Sequence, residues 1–298
     1  MARQGHIRNP FEIVVEQFSS AVSDAGDAAV RRRDRTAAAA SPPVVRRITM
    51  QDLWDSLRAG AADLGAVRDD ILFIGVIYPL AGLLLARFLF SENLIPLDFP
   101  LIAGFALVGP VAAIGLYEIS RRREAGEHVT WMTAFRVFHS PALTSVLWLG
   151  FLMLVWFGLW LAAAYAIYYA TLAPMFQTPV SAAPPSLGAF LDAVFTTPQG
   201  WAMIVVGMVV GFLFAAVAMA VSVISFPLLL DRDCGVKAAV TTSLRAVAAN
   251  PTVMAAWGLI VAAALVLGSI PALFGLIFVV PILGHATWRL YRRLVEPV

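Results

Sequence analysis

A few side chains in this sequence are of types that do chemistry, and they lie beside long apolar runs. Glu118 stands in LYEIS, His285 and Arg289 in LGHATWR, and His139 in FHSP. A carboxylate near an imidazole suits general acid–base work, and two imidazoles at one depth suit a haem or metal ion. Glu118 has two partners on offer. Arg289 is its positional counterpart, each lying eight residues after a proline (Pro110 and Pro281), and His285 is one turn deeper. The simpler role for Glu118 is a juxtamembrane acid that balances Arg121, Arg122 and Arg123. His139 and His285 are the pair available for ligation, and interfacial histidines more often bond to a neighbour. Ser140 and Thr144, near His139, have no orienting acid. Asp231-Arg232-Asp233 has the form of a metal-assisted acidic pair, but it is a tripeptide within a basic connector. We therefore expect no catalytic residue, no cofactor and no resident metal. Glu118, His285, Arg289, His139, Arg136 and Arg245 are the candidate functional residues.

The elements that position them are written in the composition. Of 298 residues, 60% are hydrophobic and 13% charged, and the mean hydropathy is +0.81. Soluble folds need a polar surface that this chain cannot supply, whereas a bilayer removes the need. Apolar runs of bilayer length fall near 71–90, 99–119, 142–171, 201–230, 252–269 and 271–291. Within them the acids and bases lie close to the ends. A cation-coupled transporter is expected to carry a mid-membrane carboxylate, and none is written here. The single cysteine, Cys234, precludes an intrachain disulfide framework.

Charge placement sets the topology. The connections at 91–98, 172–200 and 269–270 hold no Lys or Arg, and all 21 basic residues except Arg87 fall in the other connections and the ends. This positive-inside pattern predicts an even number of spans, with both termini cytoplasmic. Residues 1–47 read as a largely disordered cytoplasmic arm, and 48–298 as a six-span membrane domain. The outer connection SLGAFLDAVF reads as a surface helix.

Two cytoplasmic connectors echo each other: GEHVTWMTAFR (126–136) and GVKAAVTTSLR (235–245). Both read as amphipathic surface helices, with Arg136 and Arg245 directed to lipid phosphate. A third, from Thr49 to about Arg68, places Arg58 correspondingly and opens on a capping box, Thr49 with Asp52. The expected fold is thus all-α: six transmembrane helices as three hairpins, each preceded by a cytoplasmic amphipathic helix.

Four stretches, FALVGPVAAIGLYEISRRREAG (105–126), HVTWMTAFRVFHSP (128–141), DRDCGVKAAVTTSLRAVAANP (231–251) and VVPILGHATWRLYRRLVEP (279–297), occur in order. Together they resemble a bacterial family of predicted integral membrane proteins, domain of unknown function 2189, over roughly residues 44–297. The resemblance implies a bacterial inner-membrane protein and supplies no site. The expected role is a non-enzymatic accessory protein, scaffold or assembly factor for another membrane complex. The alternative is a transporter or channel for an apolar or lipid-like solute. Expected partners are the bilayer, with anionic lipid at the cytoplasmic face, and a membrane protein seated along Trp148, Trp156 and Trp160. Nothing points to nucleic acid.

Overall fold

The computed structural model describes residues 43–66, 96–97, 99–101, 109–111, 113–176, 186–232, 234–270 and 275–297. The arm before residue 43, the span expected at 71–90 and most of the first half of the span expected at 99–119 lie outside these. Among the described residues the chain is all-helical, and its one β-type contact is an antiparallel bridge between Val45 and Val295.

Helix α1, Met50–Ala66, starts where the capping-box spacing predicts. Thr49 N–H donates to Asp52 Oδ2 at 2.8 Å, and Asp52 N–H donates to Thr49 Oγ1 at 3.3 Å. Helix α2, Ile114–Glu124, stops at Gly126, whose φ of 77° is a left-handed conformation that only glycine adopts cheaply. The connector that follows is a 3-10 helix over Trp131–His139 and not the α-helix its pattern suggests. Pro141 bars the α conformation at Ser140, which is extended (φ −77°, ψ 139°). A three-residue turn also puts Ala134 and Val137 on one buried line while Met132, Phe135 and Phe138 stay exposed.

The longer helices that follow among the described residues are α3 (Leu143–Thr171), α4 (Leu187–Thr196), α5 (Pro198–Ser222), α6 (Ser225–Asp231), α7 (Gly235–Ala249), α8 (Pro251–Ser269) and α9 (Leu276–Leu294). Helix α4 forms where SLGAFLDAVF predicts a helix. Among the described residues, three segments are long and apolar enough to cross a membrane: Leu143–Thr171, Pro198–Asp231 and Pro251–Ser269. They coincide with the spans expected at 142–171, 201–230 and 252–269. The last expected span, 271–291, is different in kind. Its described part forms α9, which runs on to Leu294 and is buried along most of its length.

Proline and glycine explain the local geometry. Pro227 has no N–H for the Val223 carbonyl and crowds it, so the long helix breaks between α5 and α6. Ser243 on α7 repairs the break, its hydroxyl donating to the Ala220 carbonyl (2.7 Å) and accepting the Ile224 N–H (3.3 Å). Helix α9 is the core element, packed against α1 and α2. A Cβ on Gly60 would lie 2.6 Å from the Ala286 nitrogen, and one on Gly284 would lie 2.6 Å from Leu116 Cδ1. Glycine at these two crossings lets both neighbours reach α9 closely, where dispersion drives packing in lipid. Leu53, Leu116 and Trp257 pack around it with its own Trp288 and Tyr291.

Candidate functional site

The second half of α9 carries Trp288, Arg289, Tyr291, Arg292 and Arg293, and their partners lie on α1, α2 and α6. Arg289 forks onto Asp63 of α1 (3.0–3.2 Å), and Arg123 of α2 reaches the same carboxylate at 3.4 Å. Arg293 bonds Asp52 at the start of α1. Arg292 joins Glu124 of α2 (2.9 Å) to Asp231 at the end of α6 (3.1 Å) and lies 5.4 Å over the Trp288 ring. Trp288 Nε1–H donates to Glu124 (2.9 Å), and Tyr291 O–H donates to Asp231 (2.6 Å). A single exposed ion pair contributes 1 kcal/mol at most, but this is a shared network against a helix core. Burial pushes the Glu124 carboxyl up, yet the bonds from Arg292 and Trp288 outweigh it and hold the group below the usual carboxylate range. Asp52 is also held low, chiefly by the Thr49 N–H and hydroxyl and further by Arg293.

A buried amide completes this ionic collar. Asn250, between α7 and α8, accepts the Ile48 N–H (2.8 Å) and donates to the Arg46 and Ala246 carbonyls (3.0 Å each). Arg46 N–H donates to Leu294 O (2.8 Å), so the chain segment entering α1 is tied to the end of α9. Sequence reasoning missed Asn250, Asp63 and Ser120 as working residues. The Asn-Pro junction at 250–251 was the one signal for the first.

The structure separates the residues that spacing grouped. Glu118 pairs with neither Arg289 nor His285. It is 1% exposed, and Arg121, one turn along α2, forks onto it at 2.8 and 2.9 Å while Arg122 bonds it from the next position. Residues three and four apart share a helix face, and this local geometry takes precedence over a distant counterpart. His285 is fully buried, with Nδ1 2.6 Å from Ser120 Oγ. His139 is exposed at the end of the 3-10 helix and does not share that site. Arg136 is exposed and stands 3.7 Å from Glu127, and Arg245 is exposed on α7. Among the described residues no group of three or more His, Cys, Asp or Glu could hold a metal ion.

Glu118, Arg121, Arg122, Arg136, His139 and Pro141 border a cavity of about 440 Å³, open to the surface between α2 and the 3-10 helix. Of the expected site residues, three therefore meet here: Glu118, Arg136 and His139.

The tryptophan stripe also divides. Trp160 is buried, its indole N–H donating to the Pro100 carbonyl (2.9 Å), and Trp156 donates to the Phe214 carbonyl (3.1 Å) with its ring 4.6 Å from Phe214. Trp156 thus joins α3 to α5 and Trp160 joins α3 to the segment at Pro100, which satisfies N–H groups that lipid cannot. Trp148 alone of the three is largely exposed.

No curated protein and no solved structure matches the chain. The motifs read at 231–251 and 279–297 fall outside the family match or only touch its edge. Residues 98–231, from the second expected span through the end of α6, match the family described as predicted integral membrane protein, domain of unknown function 2189.

Proposed function

We propose that this is a six-span protein of the bacterial cytoplasmic membrane, with both termini cytoplasmic. Its role is that of a non-enzymatic accessory protein, a scaffold or assembly factor for another membrane complex. The observation that carries this reading is the contrast between the two ends of its architecture. Helix α9 and the collar are packed and mutually paired, whereas the apolar window of Pro198–Asp231 is only 6% buried. The α5 and α3 helices present Trp148, Phe151, Val205, Met208 and Phe212 outward. That is a broad intramembrane surface for lipid and for a partner.

The collar supports the even span count. Contacts gather residues 46, 63, 123, 231, 250 and 293 at one end. The residues that flank each expected hairpin, 63 and 123, 123 and 231, and 250 and 293, thus lie at the same end, as three hairpins would have them. The alternative, a pathway for an apolar or lipid-like solute, has less support, because Trp257, Phe226 and Leu116 fill the space next to α9.

Affinity purification of the tagged full chain from native membranes in mild detergent, with mass spectrometry, tests the accessory role. The expected result is one co-purifying membrane protein near stoichiometry, absent from a control membrane bait. Recovery of the chain alone and monodisperse would contradict it.

A further inference from the structure

The cavity between α2 and the 3-10 helix has the makings of an anion site that nothing above uses. Three guanidinium groups (Arg121, Arg122 and Arg136) border it, with one carboxylate, Glu118. That carboxylate is already covered. Arg121 spends Nε and one terminal nitrogen on it, and Arg122 spends Nε. Arg122 gives a further N–H to Glu127 at 2.8 Å, while Arg136 stands 3.7 Å from the same carboxylate, beyond hydrogen-bond length. Against three guanidinium charges there are two carboxylates, Glu118 and Glu127, so one positive charge remains. Each guanidinium has five N–H donors, and the forks leave several of them unused on Arg121 and Arg136.

The surroundings say which anion. Met132 and Phe138 of the 3-10 helix are exposed beside the cavity, and Phe135 stacks on Phe138 at 6.3 Å. Pro141 at the cavity edge leads directly into α3, whose exposed Leu147, Trp148 and Phe151 begin about 10 Å further along the helix axis. A charged recess next to an exposed apolar belt matches the depth profile of a phospholipid, phosphate at the recess and acyl chains on the belt.

We propose that this cavity is a phosphate-binding site, with Arg136 and Arg121 as its donors and Glu118 as the group that fixes Arg121 and Arg122 in place. The phosphate is that of an anionic lipid headgroup or of a free phosphate compound. The inference rests on the membrane reading of α3 but needs neither a partner protein nor a given compartment for this end of the bundle. It can therefore fail while the accessory role stands, and the reverse.

The test is native mass spectrometry of the full chain released from nanodiscs of mixed phosphatidylglycerol and phosphatidylcholine, with inorganic phosphate titrated in a second arm. Arg136→Gln removes an exposed donor and leaves the core untouched. Arg245→Gln removes an equally exposed charge at the same end but outside the cavity. We expect preferential retention of phosphatidylglycerol by the wild-type protein and by Arg245→Gln. In Arg136→Gln retention should fall roughly tenfold, the scale of one charge-assisted hydrogen bond. Displacement of that lipid only at high phosphate identifies the headgroup as the ligand. Tight phosphate binding without lipid preference, lost equally in Arg136→Gln, keeps the site and assigns it a soluble compound. Equal loss in both variants, or no loss in either, overturns the proposal.

Discussion

A side-chain amide that both gives and accepts hydrogen bonds is hard to replace, and Asn250 does so across three segments of chain. Asn250→Ala leaves the Ile48 N–H and the Arg46 carbonyl without their partner, at a cost of about 1–3 kcal/mol. Thermal unfolding of the detergent-solubilised protein should show a midpoint lower by several degrees, while Lys237→Ala, at an exposed position, should melt with the wild type. Equal midpoints for Asn250→Ala and wild type would remove the amide from the collar. The collar also sets a pH dependence. Glu124 and Asp52 are both held below their ordinary values, so their stabilisation is fully present above the unfolded-state values near 4 and is lost as pH falls through the folded ones. Midpoints should stay level from pH 7 to about 5 and drop below about 4, and Glu124→Gln should flatten part of that drop. A drop unchanged in Glu124→Gln would place the acid sensitivity elsewhere. These residues were hardly legible in the sequence, because helix spacing puts Glu118 beside Arg121 and Arg122 but cannot say which helix brings Asp63 to Arg289.

Helix packing in lipid turns on how closely backbones approach, and Gly60 and Gly284 are the two points where neighbours press on α9. Gly60→Val and Gly284→Val each drive a branched side chain into backbone or Leu116, costing about 1–3 kcal/mol or more by overpacking. Gly207→Ala, where a Cβ meets nothing within 4 Å, should leave the midpoint unchanged. If Gly207→Ala and Gly60→Val melt alike, the close approach of α1 to α9 is not what holds this end together. Helices α3, α5 and α8 were legible from hydropathy because length and apolarity are all that the spans at 142–171, 201–230 and 252–269 require. Facing was not legible. Trp148, Trp156 and Trp160 share a helical stripe, but lipid and a helix neighbour are equally apolar, so nothing in the spacing tells Trp148 from Trp160. The 3-10 connector was hidden because Met132, Phe135 and Phe138, three apart, fit the i, i+3 rows of either helix type.

Across the whole molecule, one arrangement links the ionic collar, the cavity at Arg136 and the exposed faces of α3 and α5. The collar gathers residues that flank the expected hairpins, and in the proposed topology the positive-inside pattern puts that end in the cytoplasm. Helix α4, with its exposed Asp192, lies on the opposite side in that proposed topology. Cysteine-scanning topology in intact cells tests this most directly. On a Cys234→Ser background, Arg47→Cys, Glu127→Cys and Asp192→Cys are each challenged with a membrane-impermeant maleimide. The account predicts labelling of Asp192→Cys alone in intact cells and of the other two only in inverted vesicles. Labelling of Glu127→Cys from the same side as Asp192→Cys, or of Arg47→Cys from the side opposite to Glu127→Cys, would contradict it.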